Sequence, residues 1–250
     1  MARAPAEAPP TAFPSVRLVL ALVLAVGLGL VLWLAPTRSD PPGSGQPGSG
    51  PHPGASTTLA CAPPPPAPAT YPTFERAPDP SLAGDRQWLA RIVTTCGPVE
   101  VLLDGTRAPA GVASFLELAR SGYYDDSVCN RLTSRLAPTR FLQCGDPTGR
   151  RGGDPGYDLP LEDVPADRRY AVGTVAIARG PEVGTTAGEF LFVHETFTVP
   201  PGEPVYSVIG QVVSGQSVIT GIAAVGGEDH LSDWFPFQSI SIRSVSVQPR

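Results

Sequence analysis

Three histidines, His52, His194 and His230, would be the natural carriers of acid–base or metal chemistry, but they stand in unrelated contexts. His194-Glu195 is not followed by the second histidine that a helical zinc site requires, and no Gly-x-Ser-x-Gly turn is present to raise a nucleophilic serine. Gly149-Arg150-Arg151-Gly152-Gly153 has the glycines of a phosphate cradle without the Lys-Ser/Thr that completes one, and it reads as a Gly-rich turn. Cys61, Cys96, Cys129 and Cys144 lack the C-x-x-C spacing of a zinc or dithiol site. Metal-dependent and triad hydrolysis find no support, and neither a metal nor a cofactor is expected. Outside the cytoplasm the cysteines are candidates for disulfides.

The informative residues are an arginine and a glutamine set within a series of blocks. In order these are Gly122-Tyr123-Tyr124-Asp125-Asp126, Asn130-Arg131-Leu132, Leu142-Gln143-Cys144-Gly145-Asp146-Pro147-Thr148-Gly149 and Gly152-Gly153-Asp154-Pro155-Gly156-Tyr157. The series continues with Gly173-Thr174-Val175-Ala176-Ile177-Ala178, Gly188-Glu189-Phe190-Leu191-Phe192, and Tyr206-Ser207-Val208-Ile209-Gly210-Gln211-Val212-Val213. In sequence and succession these blocks resemble the cyclophilin family over residues 87–247. The Gln-x-Gly-Asp block is specific by itself; the others persuade as a series.

That resemblance implies a closed eight-stranded antiparallel barrel capped by two helices, and a peptidyl-prolyl cis-trans isomerase activity. Rotation about a peptide bond faces about 18–20 kcal/mol because the nitrogen lone pair is shared with the carbonyl. In the family an arginine donates toward the prolyl nitrogen as that lone pair localises, and a glutamine helps hold the substrate backbone. Arg131 and Gln143 match these two catalytic positions. Phe141, Ala178, Arg179, Glu189, Leu191 and Tyr206 match positions that line the substrate groove.

Several groove positions depart from the family pattern. Asn130 stands where a histidine usually precedes the arginine, and the loop between Arg131 and Gln143 is longer than in the common form. Arg140 occupies the usual aromatic position and Phe141 is displaced from it by one residue, a step that changes face in a strand. Glu189 replaces a glutamine, Arg179 an asparagine and Tyr206 a histidine, while residues 198–202 contain no counterpart of the groove tryptophan. If Arg131 and Gln143 share the groove face, alternation puts Cys129 with them and Cys144 on the other face, so these two cysteines are not expected to bridge a regular hairpin.

The elements that must position these residues can be read from periodicity. Runs at 88–94 and 99–103 flank Cys96-Gly97-Pro98 as a hairpin. Pro109 suits a helix start, Val112, Phe115, Leu116 and Ala119 follow at helical spacing, and Gly122 suits the stop. Further strands are expected at 127–132, 141–144, 174–179, 189–193 and 207–213, with a helix at 217–223. In the last strand Ile240 and Ile242, then Val245 and Val247, slip by one residue, which predicts a bulge near Arg243 and Ser244.

Residues 18–35 form an uncharged apolar run close to the roughly 20 residues that cross about 30 Å of hydrocarbon. Arg3 and Arg17 precede it, so the positive-inside tendency puts the remainder outside. Residues 36–84 are dominated by Pro, Gly, Ser and Ala, with almost nothing apolar to bury. The expected organisation is a cytoplasmic tail at 1–16, a transmembrane signal-anchor helix at 17–35, a disordered linker at 36–84 and a cyclophilin-like domain at 85–250. A net charge of −5, with every basic residue an arginine, gives no support to a nucleic-acid partner. The expected partners are proline-containing unfolded or extracytoplasmic polypeptides, with the membrane held through the N-terminal helix. A catalytically weak module that binds proline peptides is the alternative to an active isomerase.

Overall fold

Alternating burial builds the first hairpin, in which Trp88, Ala90, Ile92 and Thr94 of β1 (Gln87–Thr94) turn inward with Val99, Val101 and Leu103 of β2 (Gly97–Asp104). Thr94 pairs with Gly97, so the turn has only two residues between the strands, and the Cys96 amide donates to Thr94 Oγ1 at 3.1 Å. The computed structural model describes residues 59–133, 135–150, 152–179, 185–227 and 233–250. They belong to one compact unit, Ala55–Arg250.

Helix α1 (Pro109–Arg120) starts on its proline and buries Val112, Phe115, Leu116 and Ala119 as its spacing requires. No residue beside it caps its N-terminus. A carboxylate from far along the chain does so instead: Glu162 accepts from the Ala110 and Gly111 amides at 3.1 and 2.9 Å. Helix α2 (Gln216–Val225) buries Val218, Ile219 and Ile222.

The remaining strands are β3 (Arg131–Thr133), β4 (Phe141–Cys144), β5 (Asp158–Leu159), β6 (Arg169–Tyr170), β7 (Thr174–Arg179), β8 (Thr185–Val193), β9 (Phe197–Thr198), β10 (Val208–Ser214), β11 (Asp233–Trp234) and β12 (Ile242–Pro249). The main antiparallel sheet runs β11-β3-β4-β8-β7-β10-β2-β1-β12, with β5 paired to β8, while β6 and β9 pair with each other. The expected bulge falls at Arg243, where Val93 faces Ser244 but Thr94 faces Ile242.

The sheet curls but is not the closed barrel that the resemblance implies. Its two ends approach through Val128, which forms isolated bridges with both Asp146 and Ser241, rather than through a paired strand. The predicted strand at 127–132 is broken for the same reason: after Val128, residues 129–130 leave the ladder and β3 begins only at Arg131.

The described part of the predicted linker, residues 59–84, lies against the rest of the domain. Cys61 is disulfide-bonded to Cys96, the Ala62 amide donates to Thr95 O at 2.8 Å, and the Phe74 amide donates to Pro155 O at 2.7 Å. Tyr71 meets Tyr123 edge to face, and a 3-10 turn at Pro80–Ala83 ends where Trp88 Nε1 donates to Ala83 O. A low-hydrophobicity segment becomes ordered here because Leu59, Tyr71, Phe74 and Leu82 each find a place on the main core. The apolar run at 18–35 lies outside the described residues. Among the described residues no helix is long and apolar enough to cross a membrane.

Candidate active-site groove

Strand alternation divides β4, β8 and β7 into two faces. Leu142 and Cys144, Phe190 and Phe192, and Val175 and Ile177 enter the main core beneath α1. Phe141, Leu191, Val193, Ala176 and Ala178 form a second apolar cluster on the opposite face, joined by Tyr170, Phe197, Val199 and Tyr206. The polar candidates Gln143 and Glu189 share that second face with Phe141 and Leu191 by the same alternation.

Arg131 and Gln143 are direct cross-strand partners, and Arg131 Nη1 donates to Gln143 Oε1 at 3.2 Å. The arginine guanidinium carbon lies 5.0 Å from the centroid of the Phe141 ring, a cation–π placement. Gln143 Nε2 donates to Glu189 Oε2, and both side chains are buried. Phe141 in turn meets Tyr206 edge to face at 5.8 Å. Tyr206 is held by Tyr170, whose hydroxyl donates to Tyr206 O and accepts from the Tyr206 amide. Burial raises the Tyr170 hydroxyl pKa, so the ring stays neutral and keeps the donor that this clamp uses.

Six of the eight sequence-predicted residues therefore gather around Arg131 and Phe141 or along the adjoining strand face: Arg131, Gln143, Phe141, Glu189, Leu191 and Tyr206. Ala178 joins the same apolar cluster. Arg179 is set apart as the last residue of β7, beyond a register irregularity that begins at Ile177. The displacement of the aromatic does not remove it from the groove, because Phe141 lies two residues from Gln143 and shares its face. Arg140 does not fill the groove either. It turns back into the β3–β4 loop, where its guanidinium donates to the carbonyls of Ala137, Thr139 and Arg135 and approaches Glu195 at 3.8 Å.

Cys129 and Cys144 are disulfide-bonded, contrary to the alternation argument. That argument assumed a continuous strand, but residues 129–130 lie outside the ladder, and Cys129 turns into the main core with Cys144 while Arg131 faces the groove. Asn130 spans the break by donating to Asp146 Oδ2 at 2.9 Å. Asp146 also accepts from the Thr148 amide and hydroxyl through Oδ1, which explains the aspartate of the Gln-x-Gly-Asp block as a turn anchor.

No local pattern pointed to Tyr170, Phe197 and Val199. Tyr170 and Phe197 stack at 5.2 Å across the two-residue β6–β9 ladder, too short for any periodicity to register. His194 follows β8, and burial depresses its pKa to about 4, so its ring is neutral at pH 7. Among the described residues no cluster of His, Cys, Asp and Glu could hold a metal.

The family model described as "Cyclophilin type peptidyl-prolyl cis-trans isomerase/CLD" matches residues 89–247. The chain belongs to the cyclophilin family. Similar proteins include "Probable peptidyl-prolyl cis-trans isomerase B" of Mycobacterium tuberculosis, 32% identical over 168 residues and covering 62% of this chain and 52% of the relative. The protein of the same description from Mycobacterium leprae is 30% identical over 171 residues, 63% of this chain and 56% of the relative. This cyclophilin chain thus spans about half the length of the curated relatives it matches. Among solved structures, a cyclophilin-type isomerase of Cryptosporidium parvum, determined in the presence of the dipeptide Ala-Pro, has a TM-score of 0.47 at 20% identity, covering 65% of this chain and 99% of that one. The cyclophilin AquaCyp293 from Hirschia baltica has a TM-score of 0.48 at 17% identity, covering 66% of this chain and 79% of that one.

Proposed function

We propose that this cyclophilin is a peptidyl-prolyl cis-trans isomerase that acts on proline-containing polypeptides outside the cytoplasmic membrane. The observation that carries the reading is the Arg131–Gln143 pair set beside an apolar face. Arg131 donates to Gln143 and rests over the Phe141 ring, which sets its guanidinium beside that apolar face. A proline seated against Phe141, Leu191 and Tyr206 would present its nitrogen to that guanidinium. Donation there favours the twisted amide, in which the lone pair has left resonance, over the planar ground state.

The anchor and the extracytoplasmic location rest on the apolar run at 18–35 and the arginines before it. The two disulfides support an oxidising compartment, since such bonds persist outside the reducing cytoplasm. Protease added to intact cells should reach the domain; protection until lysis would place it inside.

A second reading, a proline-peptide binder with little turnover, is favoured by the contact of Phe141 with Tyr206, which leaves the clamp residues buried. An exchange assay on a short Ala-Pro peptide separates the two. Wild-type turnover that Arg131→Ala lowers on the order of a hundredfold supports the enzyme. Binding without turnover supports the module.

A further inference from the structure

We propose that the cleft behind the β3–β4 hairpin is a second binding site for the polypeptide whose proline occupies the groove, and that it takes an apolar side chain several residues from that proline. The inference rests on the reading of the groove as a proline-peptide site. The cleft has a volume of about 950 Å³ and is walled by the hairpin loop, the residues that follow β8 and the end of α2. Arg131 and Leu132 are neighbours on β3, yet the arginine rests over Phe141 on the groove face while Leu132 turns to the other face and lines the cleft. A single two-stranded ribbon therefore separates the two sites.

The lining sets the chemistry of the occupant. Three large apolar side chains that the domain leaves exposed converge here: Leu136 at 80%, Phe237 at 62% and Val225 at 52%. Apolar surface gathered in one concavity gains when something covers it. Charge on the rim is mixed, with Arg140 Nε 3.8 Å from the Glu195 carboxylate. An anionic lipid surface gains little from such a rim, whereas an uncharged apolar segment loses nothing by it. Helix α2 also ends in the cleft, and the carbonyls of a helix's last turn suit the N–H groups of a peptide backbone. A polypeptide is the ligand that uses both features, and the groove next door already holds one. Rounding the hairpin from groove to cleft takes about 10–15 Å, or about four or five extended residues.

The test uses the full-length chain and three peptides: a short Ala-Pro peptide, and two in which a leucine precedes or follows the same Ala-Pro by about five residues. Kd and turnover are measured separately for each. At least one extended peptide should bind about tenfold more tightly than the short one, because the leucine is buried once the proline is held, and a serine in its place should remove the gain. Val225→Glu puts a charge into the cleft and Ala224→Arg fills it, both at exposed positions of α2. Each should abolish the gain while leaving Kd and turnover of the short peptide within twofold. A photoreactive leucine analogue in the extended peptide should label the chain around Val225 or Phe237. Equal affinity of wild type for short and extended peptides, a gain that survives both variants, or labelling confined to the groove overturns the proposal. So does a dimer of the peptide-free chain that Val225→Glu disrupts in sedimentation, which would assign the cleft to a second copy. The gain is read from Kd, so a wild type that binds without turnover defeats only the isomerase reading, whereas normal turnover without the gain defeats only the cleft.

Discussion

Arg131 and Gln143 occupy one rung of the β3–β4 ladder, with the arginine Nη1 3.2 Å from the glutamine Oε1 on the groove face. Everything that distinguishes this groove is arranged around that rung. Phe141 lies on the same face of β4, Glu189 receives the other end of the glutamine amide, and the Cys129–Cys144 disulfide ties β4 to the segment just before β3 on the core side.

Replacing Gln143 by leucine removes both hydrogen bonds at once. Arg131 loses the acceptor that aims it, and Glu189 loses a donor while staying buried. Turnover should fall at least about tenfold through misorientation, with a loss of about 1–3 kcal/mol from the carboxylate's missing partner. Peptide exchange kinetics and urea unfolding on the same preparation check both figures.

The Cys129–Cys144 bridge closes a short loop, its cysteines 15 positions apart, so its loss should release chain entropy in the unfolded state. Cys129→Ser with Cys144→Ser should cost about 2–3 kcal/mol in denaturant unfolding. Because the bridge abuts Arg131 and Gln143, turnover should fall as well. A double variant as stable as wild type would show that β3 and β4 hold together without it.

Gly156 has a φ of +96° and sits where an added Cβ would lie 2.2 Å from Phe74 O. Gly156→Ala should therefore push the 59–84 segment from its seat at Pro155 while leaving its disulfide to Cys96 intact. Faster hydrogen exchange at the Phe74 amide, with Tyr124 and other core positions unchanged, is the expected result. The strain in the left-handed region should add about 1–3 kcal/mol.

His194 gives a pH dependence whose sign is fixed by burial. Its folded pKa of about 4 lies below the unfolded value of 6.5, so between these values the unfolded chain binds the proton and the folded chain does not. Stability is fully present above about pH 6.5 and declines as pH falls toward 4, by at most about 3 kcal/mol. Stability measured at pH 7 and pH 4.5 should show a smaller difference in His194→Gln than in wild type. An equal difference in the two would mean that His194 does not carry it.

The helix cap on α1 comes from Glu162, and Glu162→Ala should leave the Ala110 and Gly111 amides without it. A loss of about 1–2 kcal/mol is expected. Thermal unfolding of that variant beside Glu162→Gln, which keeps an oxygen acceptor but not the charge, separates the hydrogen bond from the helix dipole.

The sequence alone determined those features whose signal is local. Short β-rich runs located β1, β2 and β7, alternation located β12 with its bulge at Arg243, helical spacing located α1 and α2, and the ordered blocks marked Arg131 and Gln143 as partners in one groove. Neighbouring side chains carry that information, because a strand or helix repeats over a few residues. Tertiary structure decided what depends on closure between distant segments. Nothing near Cys129 shows that residues 129–130 leave the ladder until Val128 must bridge Asp146 and Ser241 together. Nothing near Arg140 shows that its own loop will offer three carbonyls in place of the groove. Residues 59–84 have the composition of a tether and become a strap only because Thr95, Cys96, Tyr123 and Pro155 converge to receive them. The hydrogen bond from Gln143 to Glu189 likewise exists only once β8 has paired with β4, since 46 residues separate the two.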